Sequence, residues 1–153
     1  MIGWDLGGAH LKAARLGASG NVVNVLQLPC TLWQGMEHLD QAVTGVLRRL
    51  GPAPVHAVTM TGEMVDLFPT RSEGVTRLVQ AMEERLAGSR LEFFAGEDGF
   101  LDARRAVAAP FRVASANWLA SAALVAARVD AALFVDIGST TIDLVPVRGG
   151  SVG

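Results

Sequence analysis

Apolar positions open the chain in three bursts separated by glycine-containing breaks. Residues 1–6 predict a strand, residues 9–16 a second beyond Gly7-Gly8, and the β-branched run 22–28 a third beyond Gly17-Ala18-Ser19-Gly20-Asn21. Short turns between three such runs predict an antiparallel meander. The period then changes. Leu39, Val43, Val46, Leu47 and Leu50 recur at helical spacing, which predicts a helix over 36–50 that Gly51-Pro52 ends. A short apolar strand follows at 55–60. Val75, Leu78, Val79, Met82 and Leu86 form the stripe of a helix over 72–86, with Ser72 as its expected cap. Residues 91–95 predict another strand. The alanine-rich segment 115–129 predicts a helix that is apolar almost all round and therefore buried. Strands are expected at 131–136 and 140–147.

The resulting order is a three-strand meander, then alternating helices and strands, then a new hairpin. That order fits an α/β lobe of ribonuclease-H-like type, the meander continued by parallel strands with helices on both faces. A chain of 153 residues can bury about 70% of its unfolded surface, so one full lobe is affordable in size. A lone two-stranded hairpin is marginal in water. Residues 1–130 are therefore expected to form one lobe, and 131–153 to begin a second that continues beyond Gly153.

Composition narrows the function classes. Half the residues are hydrophobic, 18% are charged, and the formal net charge is −2. This near-balance, with no run of basic residues, argues against a nucleic-acid partner. Cys30 is the sole cysteine, which excludes an internal disulfide and a cysteine metal cage. The apolar run 118–127 falls far short of the roughly 20 residues that span a bilayer, and Asp5 and Lys12 interrupt any N-terminal apolar region. A cytoplasmic protein without a membrane partner is expected. His10, His38 and His56 lack the spacing of zinc ligands, and no nucleophile elbow supports a Ser-His-Asp hydrolase.

Two segments repeat one device. Trp4-Asp5-Leu6-Gly7-Gly8-Ala9-His10-Leu11-Lys12 and Val135-Asp136-Ile137-Gly138-Ser139-Thr140-Thr141 each place Asp-x-Gly and small residues between apolar strands. Backbone N–H groups at such tips can cradle phosphate, and an aspartate leading into the turn can hold Mg²⁺ directly or through water. Gly7, Gly8, Ala9 and His10 would line the first tip, and Gly138, Ser139, Thr140 and Thr141 the second. Asp5 and Asp136 are the candidate metal ligands. An aspartate that merely starts a turn is the plainer reading of either one alone. Lys12, the chain's single lysine, is a candidate phosphate contact or a solvated strand residue.

Glu63 and Asp66 follow the strand at 55–60, beyond the carboxyl end of which ligands collect in parallel sheets. They are candidates for reading a substrate amine, or surface charges on a short helix. Arg71 is more readily a salt-bridge partner than a phosphate contact. Asn117 opens the alanine-rich helix as a cap or as a residue that orients the site. Trp4 and Trp118 are expected in the core.

The two Asp-x-Gly turns resemble the phosphate motifs of the superfamily that groups actin, sugar kinases, acetate kinase and Hsp70-type ATPases. Asp5 to Lys12, Thr61-Gly62-Glu63 through Arg71, Ala116-Asn117-Trp118 and Asp136 to Thr141 occur in an order that resembles a narrower family. These are the hydantoinase/oxoprolinase-related proteins of the tetrahydromethanopterin-linked one-carbon pathway. The resemblance implies a Mg²⁺-dependent transferase of methanofuran-type cofactor synthesis, joining an aminomethylfuran diphosphate to a tyramine-type phenol and releasing diphosphate. It implies Asp5, Lys12 and Asp136 as catalytic residues, Asp136 serving as metal ligand or as general base. It also implies a small-molecule substrate, the remaining C-terminal lobe as a partner, and compatibility with an oligomer. Two other readings stand beside it: an ATP-dependent small-molecule kinase or oxoprolinase-like ATPase, and a non-catalytic actin-like ligand sensor.

Overall fold

A computed structural model describes residues 1–137 and 142–153. Gly138, Ser139, Thr140 and Thr141, expected to line the second phosphate tip, lie outside the described residues. The meander is β1 (Ile2–Leu6), β2 (His10–Leu16) and β3 (Val22–Pro29). Helix α1 (Met36–Leu50), β4 (Val55–Met60), α2 (Arg71–Arg85) and β5 (Arg90–Phe94) follow, and β6 (Phe100–Leu101) closes the sheet edge. The six strands lie in the order β3-β2-β1-β4-β5-β6. β1, β4 and β5 run parallel to one another, and β2, β3 and β6 run antiparallel to their neighbours.

Strand alternation divides this sheet into two chemically distinct faces. Ile2, Trp4 and Leu6 of β1, Leu11 and Ala13 of β2, Val58 and Met60 of β4, and Phe93 of β5 are buried in one core. Leu39, Val43 and Val46 of α1 and Val75, Leu78, Val79 and Met82 of α2 belong to the same core. The two amphipathic helices thus cover that face. The other face carries Gly3, Asp5, Lys12, Ala14, Ala57 and Thr59, mostly small or polar.

The buried Trp4 and His56 rings satisfy each other's polar atoms. Trp4 Nε1 donates to His56 Nδ1 at 3.0 Å, and the opposite ring nitrogen, Nε2, lies 3.0 Å from the Ala53 carbonyl. The indole donor makes Nδ1 the acceptor, so Nε2 carries the proton and donates to Ala53. Burial holds the His56 pKa below its usual 6.5, against the opposing pull of the Ala53 carbonyl.

Beyond β6 come the short helices α3 (Ala103–Ala108) and α4 (Pro110–Val113), then α5 (Asn117–Ala126). A second sheet, β7 (Ala131–Ile137), β8 (Ile142–Arg148) and β9 (Ser151–Val152), is antiparallel throughout. α5 touches all three of its strands and also β4, so it lies against both sheets. Helices therefore occupy both faces of the first sheet, as expected.

Several local expectations change. The helix expected over 115–129 is shorter and half-exposed: only Ala122 and Ala126 are buried, and Leu124 is 54% exposed. Alanine packs closely on whichever face it meets, so an apolar sequence did not require burial on every side. Thr70, not Ser72, caps α2, its hydroxyl accepting from the Glu73 N–H at 3.1 Å. That capping places Arg71 in the first turn. β6, β9, α3 and α4 were not predicted, because two to six residues are too few to show a period.

Candidate functional site

A cavity of about 480 Å³ opens on the sheet face opposite α1 and α2. Its floor includes Gly3, Ala14 and Ala57, and α5 contributes Asn117, Ala120, Ser121 and Leu124 to its wall. Small residues on the strands leave this space. Large ones on the alternate positions fill the core below.

A polar row crosses the floor. In the ladder Asp5 pairs with Lys12 on one side and with Thr59 on the other, so three adjacent strands present these side chains side by side. All three line the cavity, together with Asn117 and Asp136. Lys12 Nζ donates to Asp5 Oδ2 at 3.0 Å. Asp5 Oδ1 is buried and has no hydrogen-bond partner among the described residues. A buried acceptor left unmade is costly, so this oxygen is the natural contact point for a donor or cation arriving in the cavity. Phe94 and Phe100 line it from the far strands, their rings edge-on at 5.5 Å between centroids.

The structure thus brings Asp5, Lys12, Asn117 and Asp136, four of the sequence-predicted residues, to one cavity. Others sit elsewhere. Gly7, Gly8, Ala9 and His10 form the β1–β2 turn outside the cavity lining, with Ala9 and His10 exposed. The turn glycines answer to local packing. The Gly7 N–H donates to the His10 carbonyl at 3.1 Å, and a Cβ on Gly7 would come within 2.8 Å of that same oxygen. A Cβ on Gly8 would meet Val65 Cγ1 at 2.6 Å. Asp66 is exposed and also outside the cavity lining.

Glu63 lies in a 3-10 turn (Gly62–Met64) after β4, and its side chain is 0% exposed. Its Oε1 accepts from Arg71 Nη2 at 3.2 Å and from Ser115 Oγ at 2.7 Å, while Oε2 has no partner among the described residues. As it stands, this carboxylate meets protein groups and not solvent. Arg71 is its salt-bridge partner, the plainer of the two sequence readings.

Sequence reasoning missed Thr59, Phe94, Phe100 and Ser115. Thr59 was accessible through alternation, since Val58 and Met60 point to the core. Phe94 and Phe100 gave no signal, because their meeting depends on the two-residue strand β6. Among the described residues no group of three or more His, Cys, Asp or Glu could hold a metal ion. Mg²⁺ is commonly bound by one or two carboxylates plus substrate phosphate and water, and Asp5 with Asp136 fits that donor set. No helix among the described residues is long and apolar enough to cross a membrane.

Comparison with known proteins adds three findings. The sequence profile of the family described as hydantoinase/oxoprolinase matches residues 55–153. The (4-{4-[2-(gamma-L-glutamylamino)ethyl]phenoxymethyl}furan-2-yl)methanamine synthase of Methanocaldococcus jannaschii is 26% identical over a 153-position alignment that covers 99% of this chain and 44% of that protein. Among solved structures, a ROK family glucokinase from Streptomyces griseus, in complex with glucose and AMPPNP, superposes with a TM-score of 0.51 at 15% identity, covering 100% of this chain and 46% of the kinase. A putative sugar kinase from Cytophaga hutchinsonii gives a TM-score of 0.51 at 12% identity, over 99% of this chain and 48% of that one. The chain spans less than half the length of these relatives. The fold is the sugar-kinase α/β fold, in agreement with the class expected from the order of elements.

Proposed function

The chain belongs to the hydantoinase/oxoprolinase family, and on that premise we propose that its cavity is the diphosphate half of a transferase site. The proposed reaction joins an aminomethylfuran diphosphate to a tyramine-type phenol and releases diphosphate, as in methanofuran-type cofactor synthesis. The observation that carries it is Asp5, whose buried Oδ1 is unpartnered while Lys12 holds Oδ2, in one cavity with Asp136. The relative named for a phenoxymethyl-furan-methanamine product supports the chemistry, since a phenoxymethyl link joins a phenol oxygen to a furan-bound methylene.

In this reading the phenol oxygen forms a bond to the methylene carbon as the bond from that carbon to the diphosphate oxygen breaks. The phenol proton passes to a carboxylate, for which Asp136 is the candidate general base. Lys12 orients and neutralises diphosphate oxygens, and Asn117 donates or accepts at the α5 side of the cavity. Mg²⁺ held by Asp5, with Asp136 as second ligand where Asp136 does not serve as the base, would supply charge neutralisation that makes diphosphate a better leaving group.

The β7–β8 hairpin is, in the same proposal, the start of a second lobe. Leu133, Val135, Ile137, Ile142 and Leu144 are all exposed on it, five large aliphatic side chains on two strands. Further strands or helices would remove them from water.

Calorimetric titration with Mg²⁺-diphosphate and, separately, Mg²⁺-ATP tests the reading. Diphosphate binding that Asp5→Asn abolishes, with ATP silent, is the expected result. Tight ATP binding would move an ATP-dependent kinase to first place, the reading that the shared sugar-kinase fold favours. Binding of neither would remove both.

A further inference from the structure

Ser115 is the only non-glycine residue with positive φ among the described residues, at +52°. A side chain raises the energy of this left-handed conformation, so the surroundings must hold it there. They do so through the hydroxyl. Ser115 Oγ donates to Glu63 Oε1 at 2.7 Å, accepts from Arg71 Nη2 at 2.8 Å, and lies 3.2 Å from Met64 Sδ. The Glu63 carboxylate is wholly buried, so the serine is tied to a group that cannot follow solvent. Three elements meet at this knot: the turn after β4, the first residue of α2, and the link from α4 to α5.

The link leads directly into the cavity. Ala116 precedes α5 and supplies no side-chain cap, and Asn117, the first residue of α5, lines the cavity with Asp5, Lys12 and Asp136. The direction in which α5 starts is therefore set by the backbone at Ser115, two residues before Asn117.

We propose that Ser115 is a positioning residue, latched to Glu63 and Arg71 so that Asn117 is presented to the cavity at a set angle. A glycine would meet the backbone requirement without strain. Retaining serine in this conformation makes sense if the hydroxyl, and not only the turn, is needed. The inference deepens the proposed function by adding a specificity element to the same cavity, but its geometric core stands without any particular ligand.

The test uses Ser115→Gly, which suits φ +52° and removes the hydroxyl together with the Cβ that made this backbone costly. Arg71→Lys serves as a second variant, because it keeps a cation beside the buried Glu63 carboxylate while replacing the planar guanidinium that donates to Ser115 Oγ. The readout is the ¹⁵N side-chain amide signal of Asn117, assigned through Asn117→Asp, together with the thermal midpoint. Both variants are expected to displace that signal by several line widths while the midpoint stays near wild type. Ser115→Gly is also expected to weaken Mg²⁺-diphosphate binding about fivefold, the scale of one lost hydrogen bond. An Asn117 signal unmoved in Ser115→Gly overturns the positioning role; if that variant does not fold, an unmoved signal in Arg71→Lys does so. Wild-type protein that ignores Mg²⁺-diphosphate would count against the proposed function alone, since the amide signal is read without ligand.

Discussion

Asp5 and Lys12 face each other across the β1–β2 ladder, with Nζ 3.0 Å from one carboxylate oxygen while the other oxygen stays unpartnered. The lysine side chain is 55% exposed, and an ion pair so open to water contributes little to folding. The pair therefore makes more sense as a prepared charge arrangement than as a structural clasp.

Lys12→Met should consequently separate stability from binding. Denaturant unfolding is expected to shift by no more than about 1 kcal/mol. Mg²⁺-diphosphate affinity, read by calorimetry, should fall about tenfold or more, because a charge-assisted contact to phosphate is lost. Unchanged affinity would remove Lys12 from the phosphate site.

Stability should depend on pH through His56. Burial lowers its folded pKa below 6.5, so between the folded value and 6.5 the unfolded chain binds more protons. Stability from this group is then fully present above pH 6.5 and is lost as pH falls below it. Protonation would also place a proton on Nδ1, where Trp4 now donates. Urea titrations from about pH 5 to about pH 8 should show that slope, and His56→Gln should flatten it. An identical slope in the variant would assign the effect to other groups.

Cys30 should be chemically silent in the native protein. It is 1% exposed, and burial pushes its thiol pKa up to about 11. Near pH 8 a disulfide reagent is expected to release no chromophore from folded protein and one equivalent after denaturation. Rapid native labelling would mean that the β3–α1 region opens readily.

Gly74→Ala should destabilise, contrary to helix propensity. In an open helix the change gains about 1 kcal/mol. Here the new Cβ would meet Glu63 Cα and Cβ at 2.9 Å and Phe68 Cδ2 at 2.8 Å, so α2 must move off the turn that carries Glu63. A net loss of about 1–3 kcal/mol is expected in denaturant unfolding. A more stable variant would show that the turn yields freely.

The long periodic elements were legible from the residues alone. Helix α1 and strand β4 begin and end where their apolar spacing and flanking turn residues place them, because Leu39, Val43 and Val46 can share a face only in a helix. Elements only about one period long, such as β6 and α4, were not legible, because a period must repeat to be seen. The candidate site was legible in part: Asp5, Lys12, Asn117 and Asp136 carried local signals and do share a cavity. Glu63 was recognised as a distinctive acid. Its burial was not foreseen, since Ser115, which closes over it, is 52 residues further along the chain.

Local physics thus determined from sequence alone that this chain makes a meander, that helices and strands then alternate, and that an Asp-x-Gly segment recurs. These depend on side-chain period and backbone freedom over a few neighbouring residues. Tertiary structure alone decided which face of the sheet holds the cavity, that Thr59 completes the Asp5–Lys12 row, and that Ser115 is locked to Glu63 and Arg71. Each of those contacts joins residues far apart in the chain, and their pairing follows from how the large side chains fill the common core.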